Sequence, residues 1–228
     1  MAQINIHQQA KPYIVPVCHS DVRILYRDDT LLLVEKPDLL LSVPGRLPQN
    51  KDCMITRVQQ RYPSATVVHR LDLDTSGIMM VPLQREAHAE LSRQFQRRAI
   101  EKTYTAILWG ILEEDEGTID LPIACDWENR PMQKICYDDG KPSITHYRVL
   151  SRDHEKNCTR VSLHPVTGRS HQLRIHSREI GHPILGCDMY AHQEALQAAP
   201  RLMLHATEIR FAHPVYQHPV IGYSAPPF

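Results

Sequence analysis

The nine residues HRLDLDTSG, numbers 69–77, place two carboxylates and a guanidinium inside a largely apolar part of the chain. Leu71 and Leu73 alternate with Asp72 and Asp74, and apolar runs flank the segment on both sides. A carboxylate among bulky apolar neighbours must be paired, hydrogen-bonded or chemically active. The spacing therefore marks this segment as the candidate functional centre of the chain.

Two interpretations of the segment follow from its residues. If residues 69–74 are extended, Arg70, Asp72 and Asp74 share one face, and the two carboxylates lie about 7 Å apart. That separation falls within the ~6.5–9.5 Å that an inverting sugar hydrolase needs between its acid and base. The structural interpretation pairs Asp72 with Arg70 and makes residues 74–77 an Asx-type turn. For Asp74 the turn is favoured.

The composition describes an ordinary globular protein. The 228 residues carry 26 basic and 26 acidic side chains, with 42% hydrophobic residues. A neutral balance argues against a generally basic polyanion binder, so any nucleic-acid site must be a local patch. The six cysteines are scattered without a Cys-x-x-Cys pair, which indicates reduced thiols and a cytoplasmic protein. The N-terminus does not resemble a signal peptide, and the sequence contains no apolar run of ~20 residues, so we expect no membrane association.

Hydrophobic periodicity predicts an α+β fold with a largely antiparallel sheet. We expect an N-terminal extension, residues 1–20, followed by one bilobed catalytic domain, residues 21–228. Helices are predicted at 52–62 and 85–99, and a shorter one within 167–183. Strands are predicted at 22–26, 31–34, 66–68, 78–83, 102–108, 144–150, 159–163 and 203–211.

Two of the predicted helices, the one at 85–99 and the shorter one within 167–183, carry arginines on their polar faces. The helix at 85–99 has the densest basic face, formed by Arg85, Arg93, Arg97 and Arg98. In the shorter helix, Ser170 is the predicted N-cap, and Arg174 and Arg178 project from one side. With Arg169 at its first turn, that helix is either a clamp for phosphate or carboxylate groups or a solvated charged face.

Several common catalytic motifs are missing from the sequence. It contains no phosphate-binding glycine loop ending in Lys-Ser/Thr, no G-x-G-x-x-G and no G-x-S-x-G. The histidines form no cluster with the ligand spacing of zinc sites. We therefore expect no metal, no nucleotide cofactor and no other cofactor.

Four ordered motifs resemble those of the RluA family of RNA pseudouridine synthases: HRLDLDTSG at 69–77, KTYTA at 102–106, TGRSHQLRIH at 167–176 and LMLHA at 202–206. The resemblance covers nearly the whole chain, and the total length resembles that of family members without a separate N-terminal RNA-binding domain. It implies the pseudouridine synthase fold, a mixed and largely antiparallel sheet with flanking helices and a central RNA-binding cleft. The runs LLSVPGR at 40–46 and CDWENRP at 125–131 are similar to dual-specificity members of this family.

The resemblance also implies roles for four residues. Asp72 matches the catalytic aspartate, and Tyr104 matches the tyrosine that stacks on the target base. Arg174 matches the arginine that pairs with the catalytic carboxylate, and Arg70 matches the arginine that reaches into the RNA. Asp74 inherits no catalytic role.

The implied partners are 23S rRNA and a tRNA anticodon stem-loop, bound by a monomer. Arg93, Arg97, Arg98 and Arg178 are further candidates for phosphate contacts. Besides the isomerase, two classes stay open: a sugar or nucleoside hydrolase that uses Asp72 with Asp74, and a non-catalytic RNA-binding module.

Overall fold

The computed structural model describes residues 13–228, so residues 1–12 of the predicted N-terminal extension lie outside the described part. Within that part, nine strands form one sheet in the order β1-β2-β3-β10-β4-β9-β8-β5, with β11 paired to β10, and β6 pairs with β7 in a separate hairpin. The predicted α+β class is confirmed. The strands are β1 (Arg23–Arg27), β2 (Leu31–Lys36), β3 (Ser76–Pro82), β4 (Glu101–Trp109), β5 (Glu116–Asp120), β6 (Ile123–Cys125), β7 (Gln133–Ile135), β8 (Ile144–Asp153), β9 (Cys158–Pro165), β10 (Leu204–Ala212) and β11 (Pro219–Tyr223).

The helices are few and short, and they flank the sheet. None of those within residues 13–228 is long and apolar enough to cross a membrane. Each predicted helix is present but begins or ends inside its predicted bounds, because terminal turns lose their apolar contacts first. They are α1 (Met54–Gln59), α2 (Arg85–Gln96), α3 (Gln172–Glu179) and α4 (Gln193–Gln197), with a single 3-10 turn at Pro48–Asn50.

The prediction of a strand at 66–68 is wrong, because these residues form no strand. Thr66 donates one backbone hydrogen bond to Pro82 O at 2.9 Å, and Val67 O lies 3.2 Å from His88 Nε2. The segment is thus held by an isolated backbone bond and a side chain rather than a ladder. The strands that periodicity missed, β5, β6, β7 and β11, are short or lie at a sheet edge, where exposure removes the apolar signal.

Two large clusters of buried apolar side chains occupy the two halves of the protein. One contains residues of β2, β3 and helices α1 and α2. The other contains residues of β4, β9, β10 and α3. Tyr104 on β4 packs against both clusters, so this side chain stands at the boundary between the two halves.

The two halves meet where β3 runs parallel to β10. Ser76 pairs with His205 and Gly77 with Ala206, while the other paired strands of the described chain are antiparallel. Gly77 has a φ of +122°, and a Cβ atom at this position would lie 2.3 Å from Ala206 O. The last residue of the quoted motif is therefore glycine for both conformational and steric reasons.

Replacing Gly77 with alanine is expected to lower the free energy of unfolding by at least about 3 kcal/mol, because strain and a backbone clash add. Gly181→Ala is the matched control, since Gly181 has a φ of +84° but no atom within 4 Å of its added Cβ. That control should lose only about 1–2 kcal/mol. Urea denaturation measures both values, and equal losses would contradict the steric argument.

Candidate active site

An open cleft of about 720 Å³ lies at the junction of the two halves. It is lined by residues of all four quoted motifs, with Leu204 from the fourth. Arg70, Asp72, Tyr104 and Arg174 all line it. The fold thus brings together the four predicted site residues, which come from three widely separated segments of the sequence.

The segment that carries Asp72 is a turn and not a strand. Thr75 N donates to Asp72 O at 3.2 Å, which closes a turn at residues 72–75, two residues earlier than the predicted turn at 74–77. Within residues 13–228, Asp72 forms no ion pair with Arg70. Asp74 lies outside the cleft lining. The extended geometry, on which the two-carboxylate hydrolase depended, is therefore wrong.

Two side chains from distant positions hold this turn in place. Ser42 Oγ donates to Leu71 O at 2.7 Å and accepts from Leu71 N at 3.1 Å. On the other side of Asp72, Lys36 Nζ donates to Leu73 O at 3.1 Å and to Leu40 O at 2.7 Å. The backbone on both sides of Asp72 is thus fixed by groups that do not involve its carboxylate.

Lys36 is fully buried at the end of β2. Burial lowers the pKa of Lys36 to about 7, although Asp38, Asp74 and Asp72 act in the opposite direction. The sequence patterns did not indicate Lys36 or Ser42 as parts of the site. The available signal was a lysine closing the apolar run LLLVEK, where burial forces a charged group to find partners.

Arg174 is the principal buried cation of the site, with a side chain only 1% exposed. Its guanidinium hydrogen-bonds Asp188, lies 3.9 Å from Asp74 Oδ2 and donates from Nε to Cys187 Sγ at 3.2 Å. Burial disfavours its charge, but Cys187, Asp72 and Asp188 outweigh burial and raise the pKa of Arg174. Direct ion pairing is therefore with Asp188 and Asp74, and Asp72 interacts through space.

In α3, the Arg174 guanidinium is buried against carboxylates of the protein itself. The solvated face is therefore wrong for this residue, and the clamp for phosphate or carboxylate groups of a ligand stays a prediction. The predicted cap is also wrong, because the N-cap residue is His171 and its side chain makes no capping bond. Arg178 pairs with the adjacent Glu179, and Arg169 donates to Pro142 O at 3.3 Å.

The same ion pairs affect the carboxyl group of Asp74. Burial and the charge of Asp188 raise the pKa of Asp74, while Arg174 and Lys36 lower it. Removal of Arg174 would therefore leave Asp74 with a still higher pKa.

Tyr104 projects from β4 into the cleft next to Asp72. Burial and the negative charge of Asp72 raise the pKa of Tyr104, so its phenol stays neutral at physiological pH. Among residues 13–228 its hydroxyl has no hydrogen-bond partner in the protein, and it is not sealed from solvent. The ring and its hydroxyl are therefore available to a ligand.

His69, the first residue of the quoted motif, has a structural role. Its Nε2 accepts from Met80 N at 2.9 Å, and its ring lies 5.2 Å from that of Phe95. Burial, assisted by the charge of Lys102, lowers the pKa of His69 to about 3. The neutral imidazole thus ties the turn to β3.

The arginines proposed for phosphate contact differ in their surroundings. Arg70 is exposed at the cleft. Arg97 and Arg98 are exposed at the end of α2, next to the cleft residue Phe95. Arg93 pairs with Glu90 in the protein itself, which leaves its guanidinium less available.

The sequence of this chain is similar to those of known proteins. The model of one family, described as RNA pseudouridylate synthase, matches residues 30–179. The chain is 54% identical over 197 residues to a Yersinia pestis protein named "Dual-specificity RNA pseudouridine synthase RluA", covering 86% of this chain and 95% of that protein. It is 49% identical over 216 residues to the Escherichia coli (strain K12) protein of the same name, covering 95% and 94%.

A solved structure gives an independent comparison. The fold superposes on "Human RNA Pseudouridylate Synthase Domain Containing 1" with a TM-score of 0.78 and 31% identity, covering 93% of this chain and 86% of that one. The residues matched by the family model include Asp72, Tyr104 and Arg174 of the cleft.

Proposed function

The chain belongs to the RNA pseudouridylate synthase family and isomerises uridine to pseudouridine in RNA, and we propose that Asp72 is its catalytic residue. The observation that carries this proposal is the position of Asp72 in the cleft. The turn is held on both sides by Lys36 and Ser42, and Tyr104 and Arg174 line the same space. A carboxylate held in this way meets the geometric demand of covalent or general-base catalysis.

The reaction explains why an ionised and poorly solvated carboxylate is needed. The C–N glycosidic bond breaks, the uracil rotates, and its C5 joins the same sugar carbon, with no net oxidation or reduction. Asp72 supplies the anion that attacks the nucleotide or removes a sugar proton. Arg174 stabilises that anion through space. Because the isomerisation involves no net oxidation or reduction, it requires no redox cofactor.

Tyr104 and Arg70 serve the binding of the target nucleotide. The uridine has to leave its stack, which costs a few kcal/mol. Stacking of the base on the Tyr104 ring returns about 1–3 kcal/mol. Arg70, exposed at the cleft, enters the space that the uridine vacates in the RNA.

Tyr104→Ala is expected to weaken RNA binding by about 5- to 150-fold, the equivalent of the lost 1–3 kcal/mol of stacking. Tyr104→Phe keeps the ring and should bind within about twofold of wild type. Fluorescence anisotropy with a labelled stem-loop measures both affinities. A similar loss in the two variants would show that the hydroxyl, and not the aromatic face, binds the RNA.

The substrates we propose are 23S rRNA and a tRNA anticodon stem-loop. Support comes from the two runs that resemble dual-specificity synthases, because both reach the cleft. Leu41, Ser42 and Val43 of the first run line it, and Pro131 of the second run lines it as well. Nearby, Trp127 is 69% exposed with the Arg130 guanidinium 3.8 Å from its ring centre.

We also propose that residues 21–228 act as one bilobed catalytic domain, with Tyr104 between the two apolar clusters. The enzyme acts as a monomer in the cytoplasm, where its RNA substrates are found.

Tritium release tests the proposed substrates directly. RNA transcribed with 5-tritiated uridine, as an anticodon stem-loop and as fragments of 23S rRNA, is incubated with the enzyme. We expect release from both RNAs without loss of base from the chain. Release of free uracil would instead indicate a hydrolase, and release from one RNA alone would reject dual specificity.

A further inference from the structure

His171 adopts an unusual backbone conformation at the cleft. It lies at the start of α3 and lines the cleft together with Asp72. Its φ is +55° and its ψ is 15°, in the left-handed region, which costs a non-glycine residue about 1–2 kcal/mol. Strain of this kind persists where the surrounding structure enforces it and is common at active sites.

The side chain of His171 is oriented by Tyr190. The Tyr190 hydroxyl lies 2.7 Å from His171 Nδ1 and accepts a hydrogen bond from Gln133 N at 2.8 Å. Tyr190 is only 5% exposed, so an unpaired hydroxyl proton would be costly. The hydroxyl proton has a partner if Tyr190 donates it to His171 Nδ1. Because an accepting Nδ1 carries no proton, the proton of the neutral imidazole is then on Nε2.

The other ring nitrogen is open to the cleft. Among residues 13–228 no group hydrogen-bonds His171 Nε2, and it is not one of the buried atoms sealed from solvent. Burial lowers the pKa of His171, with Asp72 and Asp188 raising it and Arg174 lowering it. The ring is therefore neutral at pH 7 and presents a single N–H donor.

We propose that His171 is a substrate-positioning residue that donates its Nε2–H to an acceptor oxygen of the target uridine. This inference rests on the proposed function of the cleft. The hydrogen bond orients the nucleotide beside Asp72, and Tyr190 fixes the tautomer that makes it. A purely structural role would require only the left-handed backbone and the bond to Tyr190.

The variant His171→Asn separates the two roles. Asparagine tolerates the left-handed conformation, and its Oδ1 can accept from Tyr190, but it has no donor at the Nε2 position. We expect it to fold as wild type and to lose about tenfold in kcat/KM, as for one lost hydrogen bond. His154→Asn makes the same change at an exposed position and should retain wild-type kcat/KM. Wild-type activity in both variants would overturn the proposal.

Nitrogen-15 NMR of the imidazole rings tests the tautomer without RNA. We expect the His171 proton on Nε2 in wild type and a mixture of tautomers in Tyr190→Phe, which lacks the donating hydroxyl. A proton on Nδ1 in wild type would overturn the proposal. Because this measurement needs no activity, its failure is distinct from a failure of the substrate assignment, which wild-type tritium release reports.

RNAs with a thiocarbonyl at the target position identify the acceptor. If the oxygen belongs to uracil, the penalty of His171→Asn should disappear with 2-thiouridine or with 4-thiouridine, because sulfur is a weak acceptor. If it belongs to the ribose, the penalty should persist with both.

Discussion

Asp72→Asn is expected to reduce pseudouridine formation by about 10⁴-fold or more, the scale seen when the essential nucleophile or base of an enzyme is removed. The amide keeps the size of the side chain but cannot carry the negative charge that the reaction needs. The turn should persist, because Lys36 and Ser42 bind backbone groups of Leu73 and Leu71 rather than the carboxylate.

Tritium release from the stem-loop measures the loss, and anisotropy measures affinity. RNA binding should stay within about threefold of wild type, since binding to RNA depends mainly on phosphate contacts and stacking. Unchanged tritium release would remove Asp72 from the mechanism.

Asp74→Asn is the matched control for that experiment. Asp74 lies two residues away but outside the cleft lining, and we expect its variant to lose less than about tenfold in rate. A hydrolase that used both carboxylates would instead be severely impaired by either change. A severe loss in Asp74→Asn would therefore restore the two-carboxylate mechanism that the turn geometry argues against.

Arg174→Met is expected to lower the free energy of unfolding by about 3–5 kcal/mol at pH 7.5, because it leaves the partly buried carboxylate of Asp74 without its counter-charge. The variant should also lose at least about 100-fold in kcat through the unstabilised Asp72 anion. Arg178→Met, one turn further along α3, removes a half-exposed guanidinium and should cost less than about 1 kcal/mol.

The destabilisation by Arg174→Met should depend on pH. The pKa of Asp74 is already raised in the folded protein, and loss of Arg174 raises it further. A carboxyl whose pKa is higher in the folded than in the unfolded state binds protons more tightly when folded, so its effect is to lower stability as pH rises. The difference from wild type should therefore be larger at pH 7.5 than at pH 5, as urea denaturation at the two pH values measures. An equal difference would show that lost packing, not charge, is responsible.

The sequence by itself determined the family, the fold class and four residues of the cleft. Its motifs are contiguous, so the identity and order of Asp72, Tyr104 and Arg174 could be read without knowledge of their contacts. Periodicity located α1 and α2 because amphipathic helices bury one stripe over many residues. It located the central strands β2 and β3 because they are continuously buried.

Only the tertiary structure decided the conformation of the motif and the environment of its charges. The bonds that hold the turn come from Lys36 and Ser42, which lie 37 and 29 residues from their partners. Alternation of leucine and aspartate fits a strand, but these distant donors stabilise a turn instead. Likewise, helical spacing places Arg174 on one face of α3, but only the folded chain shows that its guanidinium is buried and paired with Asp188 and Asp74. Periodicity reports local geometry, whereas hydrogen bonds, burial and pKa depend on groups that only folding brings together.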